Sequence, residues 1–329
     1  MLFNKKSKVA NTLIKIILIA LFFYIIYNQI FIENDAELMW KEFELTIKHG
    51  NFLFLFLAII LMAFNWGLES LKWQFMISGM EKVSFLKSLK TILIGITTGL
   101  ITPLKIGDYF GRILMVENKN QWKAVWVTFI AGFAQNIATV VFGFIGLIYY
   151  FDQIYIVEDY LFYSGISLGL FFIVVLLFLY YNIDLALKIA NRLGLKKIVK
   201  KISGDRDTKN LVPVIILNKV LLLSFLRYIV FSIQFYLIII FFGINGPLFA
   251  IFESIVIIFF IQSGLPLPPI ANVLARGEIA ILMLSIFTDN KILILSSSFS
   301  LWIINILIPA FIGLFFIIRL DVTKSFGYD

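Results

Sequence analysis

The chain has 329 residues, 61% of them hydrophobic and only 15% charged, with a mean hydropathy of +0.97; this lies far outside the soluble range and defines an all-α polytopic membrane protein. No cysteine and a single histidine, His49, exclude a disulfide framework, a thiolate or histidine-cluster metal site and a cysteine nucleophile, and no cofactor is expected. The net charge of +8 gathers at helix ends and in one loop, as insertion by the positive-inside rule requires, so nucleic acid is not an expected partner.

Lys5, Lys6 and Lys8 precede an apolar run from about Thr12 to Ile32. The run is too long for a signal peptide and lacks a small-residue cleavage site, so it predicts a retained first helix with its N-terminus inside. From Glu33 to Gly50, acids alternate with Ala36, Met39, Trp40, Phe43 and Ile47 at helical spacing, which predicts an amphipathic helix on the outer surface. Phe52 to about Trp73 crosses inward and ends in Glu69 and Lys72, one turn apart, a pairing expected at the interface.

The stretch Thr98–Arg112, TGLITPLKIGDYFGR, then breaks the apolar pattern. Its arms, Leu89–Leu100 and Leu104–Val116, are each too short to span. A hairpin entering and leaving on one face keeps Lys119 and Lys123 inside, whereas a single spanning helix would put them outside. Trp126–Tyr150 runs outward with Gln135 and Asn136 mid-span, read as polar glue between helices. An acidic loop follows, then Leu161–Ile183 inward, then the basic segment Asp184–Asn210, which suits an anionic lipid surface.

Val214–Phe242 runs outward with Arg227 embedded, and Gly243–Pro247 makes a tight turn. A second broken stretch, Ser263–Glu278 (SGLPLPPIANVLARGE), has arms of Leu248–Phe260 and Ile270–Phe287 and repeats the glycine-leucine-x-x-proline pattern of Gly99–Pro103 at Gly264–Pro268. Leu293–Ile318 returns inward to Arg319 and Lys324. The expected architecture is therefore about six spanning helices plus two oppositely oriented re-entrant helical hairpins in an inverted-topology repeat, with both termini cytoplasmic. It forms one transmembrane domain over 1–329: a first helix and amphipathic helix in 1–51, one repeat in 52–150, a linking helix and basic loop in 151–211, and a second repeat in 212–329.

Irregular backbone and charge persist at membrane depth only when buried in protein or lining a watery cavity, so the paired breaks are the candidate site. Proline suits the first turn of a helix, so Pro103 and Pro268 or Pro269 are expected to open the returning half-helices with their N-termini facing a central anion. Arg112 and Arg276 offer the fork that a phosphate accepts, and a phosphate-bearing lipid head group is the expected guest. Asp108, four residues before Arg112, can meet it on one helix face, and Glu278 lies two residues after Arg276; each acid either neutralises its arginine or takes up a proton. For Arg112 and Lys105 the competing reading is a snorkelling anchor, but Arg276 approaches the outer face, where the positive-inside rule does not call for it. Arg227 and Glu253 are candidates whose competing reading is interhelical glue.

The run from Trp73 through GLITPLKIGDYFGR to AQNIATVVFGFIGL, with the later LPLPPIANVLARGE, resembles the transmembrane region of bacterial lysylphosphatidylglycerol synthases over almost the whole chain. The resemblance implies movement of lipid-linked cargo across the bilayer, either aminoacylated phosphatidylglycerol or polyprenyl-linked sugars. By it, Pro103, Gly107, Asp108 and Arg112 match the family's pattern in the first hairpin, and Pro268, Arg276 and Glu278 that in the second. Gly107-Asp108 departs from the family's usual glycine-glutamate, and the cytosolic aminoacyltransferase domain is not seen, so lysyl-lipid synthesis is not expected. The expected function is a lipid or lipid-linked head-group flippase of the cytoplasmic membrane, with membrane lipids as partners and an anionic or lipid-linked phosphate as substrate. The alternatives are an intramembrane enzyme acting on a lipid phosphate or lipid-linked sugar, with Asp108, Glu278 or Glu69 as acid or base, and a membrane scaffold subunit that engages a protein partner through Asp184–Asn210; a homo-oligomer is a further partner expectation.

Overall fold

A computed structural model describes residues 36–102, 105–117, 120–154, 158–194, 212–265 and 269–319. The expected first helix, the basic segment beyond Gly194 and both chain ends lie outside these residues. Every described element is helical. In chain order they are α1 (Ala36–His49), α2 (Leu53–Ile77), α3 (Phe85–Ile101), α4 (Ile106–Ile113), α5 (Gln121–Ile154), α6 (Asp159–Tyr181), α7 (Ile183–Arg192), α8 (Val214–Phe241), α9 (Leu248–Ser263), α10 (Pro269–Leu284), α11 (Lys291–Trp302) and α12 (Ile308–Ile318), the last two joined by a π turn, Ile303–Leu307.

Among the described residues, five helices are long and apolar enough to cross a membrane: α2, α5, α6, α8 and the continuous α11–α12 rod, with spans of 23 to 32 residues. Each exceeds the ~20 residues that a hydrocarbon core requires. They correspond to five of the six expected spans. α2 runs one turn past its expected end at Trp73, because Trp73, Met76 and Ile77 are all buried in the bundle and a longer helix keeps their backbone bonded. The two broken stretches each form a pair of short helices, α3 with α4 and α9 with α10.

α2 and α8 pack along one another at the centre, where Gln234 Nε2 donates to the Ala58 carbonyl at 2.7 Å. α3 lies against α12, where Thr97 Oγ1 donates to the Ala310 carbonyl at 2.8 Å and Gly313 lets the Leu93 backbone approach. α9 lies against α5, with Phe260 over Gly143 and Val256 over Gly146. Small residues are what such contacts need, since apolar side chains gain nothing by leaving hydrocarbon and association rests on close packing. α6 is the most peripheral span, with none of its apolar window buried; Tyr180 ties its end to α8 by donating to the Leu217 carbonyl at 2.9 Å.

The amphipathic helix forms as expected. α1 caps the end of the bundle where α8 finishes and α11 begins, with Phe43 stacked on Phe242 and Glu42 accepting from Asn290 Nδ2 at 2.6 Å.

Candidate functional site

The first hairpin is a backbone-to-backbone contact. Gly95 and Gly99 on α3 face Gly107 and Gly111 on α4, and a Cβ at Gly107 would overlap the Thr98 carbonyl. Thr98 Oγ1 donates to the Gly107 carbonyl at 2.6 Å, and the Gly107 N–H donates to Thr102 Oγ1 at 2.7 Å. Gly107 is thus a packing residue whose lack of a side chain sets the depth of α4. Between the arms, Lys105 adopts a left-handed backbone (φ 56°) and caps α4, which opens at Ile106. Pro103 and Pro268 lie outside the described residues, and α10 opens at Pro269, the other proline expected there.

α4 carries Asp108 and Arg112 one turn apart, and they meet as a two-point fork: Arg112 Nε to Asp108 Oδ1 at 3.0 Å and Nη2 to Oδ2 at 2.9 Å. The third guanidinium nitrogen, Nη1, reaches Glu69 Oε1 on α2 at 3.1 Å. Glu69 Oε2 also holds Lys72 Nζ at 3.1 Å and Arg227 Nη1 of α8 at 3.1 Å. One carboxylate therefore binds three cations from three helices.

Glu69 is only 6% exposed and Lys72 0%, which corrects the expectation of an interfacial pair. Burial of isolated charge in this setting would be prohibitive, and mutual pairing with added hydrogen bonds offsets it. Those bonds come from neutral groups. Gln135 Oε1 accepts from Lys72 Nζ at 3.2 Å and Arg227 Nη1 at 3.3 Å, while Arg227 Nε donates to Asn65 Oδ1 at 2.7 Å. The Arg227 guanidinium also lies 5.0 Å from the Trp66 ring centre, a cation–π distance.

The network continues into the π turn. Asn305 Oδ1 accepts from Asn65 Nδ2 at 3.0 Å, and its backbone carbonyl accepts from the Trp66 indole at 3.1 Å. Pro309 has no N–H to offer that carbonyl four residues back, so the helix widens there and the indole completes the bonding.

These groups surround a cavity of about 400 Å³, lined by Asn65, Glu69 and Lys72 of α2, Lys105, Asp108 and Arg112 of the first hairpin, Gln135 and Asn136 of α5, Arg227 of α8, Arg276 of α10 and Asn305 of the π turn. Asn65, Arg227 and Asn305 all stand near the middle of candidate spans, so the cavity sits at mid-span. Five cationic side chains line it against two carboxylates.

Of the residues singled out from sequence, Arg112, Arg276, Lys105, Asp108 and Arg227 come together in this cavity, with Gly107 packed behind them. Glu278 is not in the lining. Glu253 lines a separate, otherwise apolar groove of about 360 Å³ between α5 and α9, with Phe142, Tyr149 and Phe252. Gln135, expected as interhelical glue, is that and also a wall of the cavity.

Sequence reasoning did not single out Asn65 or Asn305, gave Lys72 no part in the site, and gave Glu69 a role only as an acid or base of the alternative enzyme. Asn65, Glu69 and Lys72 recur at i, i+4 and i+7 on one face of an apolar helix, and that stripe was the available signal. Among the described residues no cluster of three or more carboxylate or histidine groups suits a metal ion.

At least five membrane-length helices, four of which line a buried, cation-rich polar centre, define a multi-pass membrane protein with an internal polar site. The chain belongs to the family described as the lysylphosphatidylglycerol synthase TM region, whose sequence model matches residues 12–295. No individual curated protein matches it.

Proposed function

We propose that this protein carries a phosphate-bearing lipid head group across the membrane, the cavity holding the head group while the lipid tail stays in hydrocarbon. The observation that carries this reading is a mid-span cavity of about 400 Å³, within the ~300–1,000 Å³ typical of ligand sites, in which cations outnumber carboxylates. Arg276, Arg227 and Lys105 are the proposed phosphate ligands. Arg112, whose three guanidinium nitrogens are taken by Asp108 and Glu69, holds the wall in place.

We read the two broken segments as re-entrant hairpins of an inverted-topology repeat. In support, the first arm of each hairpin packs on the closing helix of the other half: α3 on α12, and α9 on α5. Such an exchange is what a two-fold relation between halves produces, and rocking of one half against the other would expose the cavity alternately. The reading includes a cytoplasmic-membrane location with both termini inside. Transport is favoured over catalysis because both cavity carboxylates are engaged by cations, leaving neither as a ready general base.

The test is head-group accessibility in proteoliposomes. Arg276→Ala is expected to slow translocation at least about tenfold, the scale on which losing one charged contact acts. Unchanged translocation would remove Arg276 from the site, and failure of the wild-type protein to move any phospholipid or polyprenyl phosphate would overturn the function.

A further inference from the structure

The cavity's charge balance bears on which head groups it accepts. Lys72, Lys105, Arg112, Arg227 and Arg276 line it against Glu69 and Asp108, an excess of three positive charges. Both carboxylates are already committed: Glu69 holds three cations and Asp108 is forked by Arg112. Neither remains to receive an ammonium group, and a cationic head group would meet like charge in the cavity.

Lys105 is the second observation. Among the described residues it is the one non-glycine with a positive φ, a conformation that disfavours any residue with a Cβ and suits glycine. It pairs with neither cavity carboxylate, and it lines the cavity from the first hairpin as Arg276 does from the second. A lysine kept where glycine would sit more easily points to a use for its charge, since backbone strain of this kind persists where the surroundings and function require it.

We infer that Lys105 is a charge-reading residue that makes the cavity select head groups bearing two or more negative charges and no amine, a phosphate monoester or diphosphate, over singly charged phosphodiesters and over aminoacylated head groups. The inference rests on the head-group reading above and narrows it. The shared chemistry is a multiply charged phosphate, and its source is a lipid.

The experiment titrates the purified full chain, in detergent at about pH 8 where a phosphate monoester holds nearly two charges, with phosphatidic acid, phosphatidylglycerol and lysylphosphatidylglycerol of identical acyl chains. Phosphatidic acid is expected to bind about tenfold tighter than phosphatidylglycerol, with lysylphosphatidylglycerol weakest. Lys105→Gly is expected to narrow the first ratio to about twofold while the thermal midpoint stays level or rises, because the substitution relieves the left-handed backbone. Lys105→Gln, which keeps the stem and loses the charge, is expected to narrow it equally.

Lysylphosphatidylglycerol binding as tightly as phosphatidylglycerol would overturn the charge selection. A ratio unchanged in both variants would overturn the role of Lys105 alone. Inorganic phosphate displacing phosphatidic acid at equal concentration would overturn the lipid as the source. Binding of none of the three lipids by the wild-type chain would overturn the head-group reading itself, a result distinct from the others.

Discussion

The two broken segments share a glycine-leucine-x-x-proline core, Gly99 to Pro103 and Gly264 to Pro268, and they are built differently around it. A Cβ on Gly99 would lie 3.2 Å from the Asp108 Cβ on the opposite arm, whereas among the described residues one on Gly264 would meet nothing nearer than the Ile261 carbonyl of its own arm at 3.6 Å. Arg112 has Asp108 one turn before it and uses it; the residue one turn before Arg276 is Asn272. The first hairpin is thus closed on itself by glycine contacts and then fastened to α2 by the Arg112–Glu69 pair. The second brings an arginine to the same cavity without an acid on the preceding turn. Equal punctuation in the sequence marks where both segments break, while the residues around it decide how tightly each pair of arms is fastened.

The sharpest way to break this contrast is to remove the fastener. Glu69→Gln leaves Lys72, Arg112 and Arg227 buried with Asp108 as the one remaining cavity carboxylate, and the expected loss is about 3–5 kcal/mol, as for other buried ion pairs stripped of one partner. Unfolding of the detergent-solubilised protein by heat or denaturant measures it. A loss below about 1 kcal/mol would mean that the first hairpin is not held by charge.

Next in size is the glycine contrast. Gly107→Val drives side-chain atoms into the Thr98 backbone, which cannot yield as a flexible side chain would, and should cost about 3 kcal/mol or more. Gly264→Ala meets only ordinary contacts at an unstrained φ of −79° and should stay within about 0.5 kcal/mol. Similar losses at both positions would erase the distinction between the hairpins.

How far the sequence foretold this arrangement follows from what each signal depends on. Long apolar runs, such as Val214–Phe242, are set by the solvent and need no partner, so the ends of the described spans were readable to within about a turn and a half. The breaks were readable because glycine, proline and charge are costly in hydrocarbon wherever they occur. The start of α4 at Ile106 was not: it follows a left-handed Lys105, and the Gly107 N–H is held by Thr102 of the opposite arm, while Pro103, where a proline rule placed the start, lies outside the described residues.

Glu69 illustrates the same limit in the site. Counted along the chain, it sits near the end of an expected span and pairs locally with Lys72. Its use is decided by Arg112 and Arg227, 43 and 158 residues away in the chain, and by α2 extending to Ile77, which draws Glu69 into the bundle. Asn305 was hidden for a related reason, since its carbonyl becomes available through Pro309 but only Trp66, on another helix, gives that availability a partner.

The smallest expected effect tests the contrast at a single hydroxyl. Thr98 and Ser263 each stand immediately before the glycine of their break. Thr98 Oγ1 reaches across to the Gly107 carbonyl at 2.6 Å, joining the two arms, while Ser263 Oγ turns back to the Phe260 carbonyl of its own helix at 2.8 Å, at an exposed position. Thr98→Val preserves shape and deletes that crossing bond, so it should cost about 1 kcal/mol, the usual net worth of one buried hydrogen bond. Ser263→Ala removes a bond that does not join the arms and should cost less than about 0.5 kcal/mol. If the two substitutions cost the same, the arms of the first hairpin are held together by glycine packing alone; if Thr98→Val costs more, the hydroxyl is part of what makes one hairpin a wall while its counterpart is left without that clasp.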